Sequence, residues 1–107
     1  MKKMATAMAI GALVAATAAT AALETVIKQK DRQFSQPDLM VQKGENVIFV
    51  NEDIVAHNIY VEFNSGVVDT GLQKPGEWAA VIFAEQGEFP VRCAIHPTMK
   101  MTVRVAE

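Results

Sequence analysis

Three residues near the C-terminus combine side-chain types that bind a soft metal ion. Cys93, His96 and Met99 offer a thiolate, an imidazole and a thioether within one short stretch. Copper accepts sulfur and nitrogen ligands in both of its oxidation states. Each residue alone has an ordinary explanation, since a single Cys or Met is usually buried as packing. Their spacing, directly before a predicted strand, instead favours a copper site.

A copper site of this kind needs a second imidazole, and the chain contains one Cys and two His in all. The other histidine, His57, lies far before Cys93 and must come from a different strand or loop. A plane of two His and one Cys with a weak axial thioether is typical of electron-transfer copper sites. Little rearranges in such a site when an electron arrives or leaves. The pattern therefore predicts electron transfer rather than catalysis.

The ligand loop, Cys93-x-x-His96-Pro97-x-Met99, resembles that of the cupredoxins, the small blue copper proteins, most of all their amicyanin-like and plastocyanin-like members. The resemblance implies a Greek-key β-sandwich and one copper ion held by His57, Cys93, His96 and Met99. It also implies redox protein partners, an electron donor and an acceptor, that dock near His96. Further matching segments are His57-Asn58, Gly87-Glu88-Phe89 and residues 37–41, 44–47 and 49–51.

The axial thioether has two candidates, because Met101 also follows the ligand loop. Met101 shares the parity of Val103 and Val105, so strand alternation assigns it to the core. Pro97 stiffens the turn that would bring Met99 over the metal. Counting back along the last strand of the family also leads to Met99, and we predict that Met99 is the axial ligand.

Asn58 follows a predicted ligand, and the resemblance implies a supporting role for it. Its backbone N–H would donate to the sulfur of Cys93, and its side chain would tie the two ligand loops together. An N–H donor stabilises the charge of a thiolate and tunes the metal. The alternative is that Asn58 merely caps a turn.

The N-terminus has the pattern of a targeting segment. Two lysines precede an uncharged run over residues 4–23, which ends in small residues. This pattern predicts a secretory signal peptide over residues 1–22, cleaved after Ala21 or Ala22, and export to the periplasm. The alternative is an uncleaved membrane anchor, since the run is long enough to span a bilayer. We expect cleavage and no stable membrane insertion afterwards.

Residues 23–107 then form one domain of about 85 residues, enough for one small core. Without the two N-terminal lysines it carries 8 basic and 12 acidic residues, and it has no basic cluster that would bind nucleic acid. The single Cys has no partner for an intramolecular disulfide, so in an oxidising compartment metal binding or burial must protect it. We expect a monomer, and no residue pattern suggests an enzyme.

Short runs rich in β-branched and aromatic residues alternate with turn signals along this domain, which predicts an all-β sandwich without long helices. Pro90 lacks an N–H for a sheet ladder, so we expect it at an edge or a bulge. The predicted strands cover residues 25–30, 39–42, 47–51, 58–63, 78–83, 89–93 and 101–105.

A second function remains open from the sequence, namely a copper-delivery protein without an electron-transfer role. Delivery sites usually expose their ligands, whereas Cys93 ends an apolar strand and should be buried. This favours the electron carrier. Zinc also accepts Cys and His ligands, so it could compete for the site.

Overall fold

The computed structural model describes residues 24–107, so the predicted signal peptide over residues 1–22 lies outside the described residues. Every regular element in the described part is a strand. Strands β1 to β9 are, in order, Glu24–Lys30, Gln33–Phe34, Asp38–Gln42, Glu45–Asn51, Tyr60–Phe63, Gly66–Asp69, Trp78–Phe83, Gly87–Arg92 and Lys100–Ala106. Within residues 24–107 there is no helix long and apolar enough to cross a membrane.

The nine strands form two mixed sheets that pack face to face. One sheet has the order β2-β1-β4-β7 and the other has the order β3-β9-β8-β5-β6. The pairs β1–β4 and β3–β9 are parallel, and the other pairs are antiparallel. The predicted all-β sandwich is therefore confirmed.

Side-chain alternation along the strands builds the core between the sheets. On β8 and just beyond it, Phe89, Val91 and Cys93 point inward, as alternation predicts, while Pro90 and Arg92 point outward. Apolar burial of this kind stabilises a fold by about 25 cal/mol per Å² of area removed from water. The core consists of Ile27, Val41, Val47, Phe49, Ile59, Val61, Val81, Phe83, Phe89, Val91, Met101, Val103 and Val105.

Two short outer strands, β2 and β6, are not predicted from the sequence. The turn between β1 and β2 has positive φ angles at Asp31 (53°) and Arg32 (56°). This conformation suits a two-residue hairpin loop, but such loops usually carry Asn-Gly or Asp-Gly. Residues 66–69 of β6 are mostly exposed and show no alternation of buried and exposed positions. Neither strand therefore leaves a clear sequence signal.

Pro90 was expected where its missing N–H faces no partner, at an edge or a bulge; the first part is confirmed, but β8 is an interior strand between β9 and β5 and not an edge strand. The N–H of Thr102, the residue opposite Pro90 on β9, donates to the C=O of Pro37 on the other side at 3.0 Å. Pro90 therefore directs its nitrogen towards β5. Pairing between β5 and β8 stops at Val61 and Val91, one residue before Pro90 would have to donate an N–H that it lacks.

Candidate metal centre

Three of the four predicted ligands meet at one end of the sandwich. His57 lies in the connection from β4 to β5, Cys93 follows β8, and His96 lies in the loop from β8 to β9. One ligand atom from each lies within 4.8 Å of the others. The Nδ1 atoms of His57 and His96 are 3.2 Å apart, and the Cys93 Sγ is 3.7 Å and 3.8 Å from them.

These separations fit a metal ion bound by all three atoms. Bonds of about 2.0 Å to nitrogen and about 2.3 Å to sulfur that meet near 120° put their outer atoms about 3.7 Å apart. Two nitrogen bonds that meet near 105° put the nitrogen atoms about 3.2 Å apart by the same geometry. The donor set of one thiolate and two imidazoles is also the soft set that copper prefers. The three residues therefore fit a bound copper ion.

Backbone pairing and a side-chain contact hold the ring of His57, which is fully buried. The backbone N–H of His57 donates to the C=O of Gln73 at 3.0 Å, and the backbone N–H of Gln73 donates to the C=O of His57 at 2.7 Å. On the ring, Nε2 lies 2.9 Å from Oδ2 of Asp53. A proton on Nε2 satisfies this carboxylate and leaves Nδ1 free to bind a metal.

Asp53 is a buried carboxylate behind the site, and the sequence analysis missed it. Its Oδ2 accepts the N–H of Arg32 at 2.8 Å, and its Oδ1 accepts the N–H of Ile54 at 2.8 Å. The pKa of Asp53 lies well below its usual range, chiefly because the carboxylate accepts the backbone N–H of Arg32 and contacts the ring of His57. The backbone N–H of Ile54 also lowers this pKa, whereas burial raises it. Asp53 thus connects the β1–β2 turn to a predicted ligand.

The loop from Cys93 to Met99 closes on itself through the backbone. The N–H of Cys93 donates to the C=O of Met99 at 3.2 Å, and the N–H of Met99 donates to the C=O of His96 at 2.9 Å. Cys93 and Met99 are buried, with 1% and 2% of their surface exposed. Met101 belongs to the hydrophobic core instead, as its strand parity predicts.

Asn58 makes both contacts expected of it, so the supporting role is confirmed and the turn-cap alternative is insufficient. Its N–H donates to the Sγ of Cys93 at 3.4 Å. Its Oδ1 accepts the N–H of Ala94 at 2.6 Å, which joins the two ligand loops. Its Nδ2 donates to Oδ1 of Asp69 at 3.1 Å.

We expect Asn58→Ala to loosen the site while leaving the fold intact. The substitution removes the acceptor of the Ala94 N–H and one partner of Asp69, and should lower the free energy of unfolding by about 1–3 kcal/mol. Denaturant unfolding of the metal-free protein measures this loss. Asn64→Ala, in an exposed turn, is the matched control and should change stability by less than about 0.5 kcal/mol. Equal losses in both variants would contradict the proposed tie.

Three apolar side chains that are close to site residues in the sequence are exposed. Ile54, Leu72 and Ile95 are 91%, 62% and 47% exposed, and each is next in the chain to a residue of the site or its support. His96 is only partly buried, whereas His57 is completely buried. Among the three clustered ligands, His96 is therefore the one that solvent or a partner can reach.

Comparisons with known proteins agree with this geometry. A family model described as copper binding proteins of the plastocyanin/azurin family matches residues 21–106. The methylamine utilization protein MauL of Methylorubrum extorquens is 32% identical over 75 residues, which cover 69% of this chain and 66% of the relative. Amicyanin-alpha of the same organism is 29% identical over 102 residues, which cover 92% of this chain and 85% of the relative.

The chain spans just under two thirds of the length of this MauL and 45% of the MauL of Methylophilus methylotrophus. Among solved structures, an amicyanin variant in its reduced Cu(I) form matches with a TM-score of 0.71 at 24% identity, covering 86% of this chain and 89% of its own. A purple cupredoxin from Nitrosopumilus maritimus matches with a TM-score of 0.68 at 22% identity, covering 77% of this chain and 99% of its own. These structures share the fold.

Proposed function

Because the chain belongs to the plastocyanin/azurin family of copper-binding proteins, we propose that it is an exported type 1 copper protein that carries single electrons between redox partners. The observation that carries the proposal is the convergence of His57 Nδ1, Cys93 Sγ and His96 Nδ1 in a buried, hydrogen-bonded cluster. Such a cluster offers a place for one ion and holds its ligands in position.

We propose that His57, Cys93, His96 and Met99 hold the metal. Bound copper supplies a one-electron couple between Cu(II) and Cu(I). The chain's own contribution is to keep the ligands still: Asp53 fixes the ring of His57, and the closed loop fixes Cys93 relative to Met99. Ligands that stay in place in both oxidation states lower the reorganisation that accompanies electron transfer.

Electron exchange is proposed to occur at the partly exposed His96, where redox partners dock. The exposed Ile95, next in the chain to His96, offers an apolar surface that would release water on contact. Relatives are named for methylamine utilization and as an amicyanin, and we propose redox partners of this general kind. The proposed location is the periplasm, because the N-terminus has the pattern of a secretory signal peptide. The role is not enzymatic.

Copper delivery is the alternative function, and burial of the ligands argues against it. A delivery site has to pass its ion to another protein, which requires accessible donor atoms. Here His57 and Cys93 have 0% and 1% of their surface exposed, so release of the ion would require local opening of the fold.

A spectroscopic titration tests the proposed function. Metal-free protein mixed with Cu(II) should bind one ion and develop intense absorption in the red, the sign of a short copper–thiolate bond. The colour should bleach on reduction and return on oxidation. NMR of mixed oxidised and reduced protein should then show electron self-exchange. A colourless complex, or one that releases its copper on reduction, would favour delivery.

The axial ligand is tested by two methionine substitutions. Met99→Leu should keep the blue colour and raise the reduction potential, because the weak thioether ligand stabilises the oxidised metal. Met101→Leu is the matched control, a volume-conserving core exchange that should cost less than about 1.5 kcal/mol and leave the potential nearly unchanged. Cyclic voltammetry measures both potentials. A shift with Met101→Leu and none with Met99→Leu would reverse the assignment.

A further inference from the structure

Within residues 24–107, one sheet of the sandwich ends in a free backbone edge. Strand β7 is the last strand of its sheet, and in the described residues it pairs only with β4. The N–H of Asn51 donates to the C=O of Glu77 at 2.9 Å, which sets the phase of the ladder. The backbone N–H and C=O groups of the odd-numbered residues of β7 therefore point towards β4. The N–H and C=O groups of Trp78, Ala80 and Ile82 point to the free edge, and no other group in residues 24–107 bonds them.

The same three residues also present an apolar outer face. Trp78 and Ile82 are 64% and 61% exposed. Proteins usually protect such edges with Lys, Pro, a bulge or a covering loop, but β7 reads Trp-Ala-Ala-Val-Ile-Phe and contains no charge or proline. The apolar face continues across the sheet. Ile48 of β4, which is half-buried, pairs with Ala80, and the exposed Val26 of β1 pairs with Ile48.

We propose that two copies of this chain pair through β7, antiparallel, around a two-fold axis at Ala80. The strand is self-complementary in this register. Ala80 lies opposite its own copy, so the smallest side chains meet at the axis, and Trp78 lies opposite Ile82 on either side of it. Each of these three positions would form two backbone hydrogen bonds, the pattern of directly paired antiparallel residues. The two four-stranded sheets then become one continuous sheet.

A second copy fits this edge because the register uses all of its free backbone groups and places no charge against a like charge. An aromatic residue opposite a β-branched one is a favourable cross-strand pair. The contact area sets the strength. An aromatic side chain buries about 150–250 Å², so the exposed parts of Trp78 and Ile82 with the backbone edge amount to a few hundred Å² per chain, below the roughly 800 Å² of a standard interface.

The dimer is therefore weak. The monomer expected from the sequence dominates in dilute solution, and pairing becomes populated as the protein concentration rises towards the millimolar range. Strand β7 contributes no residue to the metal cluster, so the inference does not depend on the proposed function and can be tested on metal-free protein.

Sedimentation equilibrium from about 20 μM to about 2 mM tests the pairing, with every variant carrying the same N-terminus, verified by intact mass. The average mass of the wild type should rise with concentration, up to about twofold. Ala80→Pro should stay monomeric, because it removes an N–H that the β4 ladder does not use. Ala80→Lys should also stay monomeric, since two lysines would meet at the axis. Ala106→Lys, the same charge change at an exposed end of the other sheet, should associate like the wild type.

A charge exchange tests the position of the axis and does not rely on the proline variant folding. Ala80→Lys and Ala80→Glu should each be monomeric, and their equimolar mixture should associate at least as strongly as the wild type. A wild type that is monomeric at the highest concentration would overturn the proposal. Association of Ala80→Pro equal to that of the wild type would overturn the use of this edge, and a monomeric mixture of the two charged variants would overturn the axis at Ala80.

Discussion

Cys93→Ser should abolish the intense red absorption and the fast reversible redox response of the copper-loaded protein. The strong visible band requires a copper–thiolate bond, and Cys93 is the single cysteine of the chain. Its Sγ lies within 3.8 Å of both histidine Nδ1 atoms, where a bound metal ion would contact all three atoms. A serine hydroxyl is a harder and much weaker donor than a thiolate.

The fold should survive this substitution, because serine nearly matches cysteine in shape. The N–H of Cys93, which donates to Met99, is retained in the variant. Circular dichroism of the metal-free protein should therefore match the wild type, while the copper spectrum loses its red band. Met101→Leu, a core change outside the proposed ligand set, should retain the colour. If Cys93→Ser keeps an intense copper–thiolate band, Cys93 is not the thiolate ligand and the proposed site is wrong.

Asp53→Asn should weaken both the fold and the metal site, although Asp53 is not itself a proposed ligand. The carboxylate accepts backbone N–H groups from Arg32 and Ile54 and contacts the ring of His57. Hydrogen bonds to a charged group contribute about 1.5–3 kcal/mol each, and an amide replaces only part of this acceptor. We expect a loss of about 2–3 kcal/mol in unfolding free energy and a 10- to 100-fold weaker affinity for copper.

The exposed carboxylate of Asp38, which pairs with Arg104 at 2.7 Å, provides the matched control. Asp38→Asn is the same chemical change at a surface ion pair and should cost no more than about 1 kcal/mol. Chemical unfolding of metal-free protein and competitive copper titration measure the two effects. Similar losses of unfolding free energy and copper affinity in both variants would show that the burial of Asp53 and its contact with His57 contribute to neither.

The effect of Asp53 should also depend on pH. Because its pKa is lowered in the folded state, its stabilisation is fully present above the pKa of an unfolded aspartic acid, about 3.9. The stabilisation is lost as the pH falls below that value towards the folded-state pKa. The stability difference between the wild type and Asp53→Asn should thus shrink on acidification. A difference that stays constant down to strongly acidic pH would contradict this linkage.

Local patterns in the sequence were enough to predict the strands that build the core. Strand β9 alternates Met101, Val103 and Val105 with polar residues, and burial follows this alternation. Strands β2 and β6 were missed, since a two-residue strand and an exposed outer strand carry little periodicity. Pro90 was expected at an edge or a bulge but lies on an interior strand, because the neighbours of a residue in the sequence do not show which strands will lie on either side of it.

The sequence by itself determined which side chains are available to the site, since one cysteine and two histidines leave little choice. Only the tertiary structure brought His57 to Cys93, placed Asp53 behind the ring, and showed that the Asn58 side chain spans both loops. It likewise decided that β7 has no second partner strand in the part of the chain that the structure describes. Residue types and alternation are local properties, whereas distances between loops and the pairing of an edge depend on how distant segments pack.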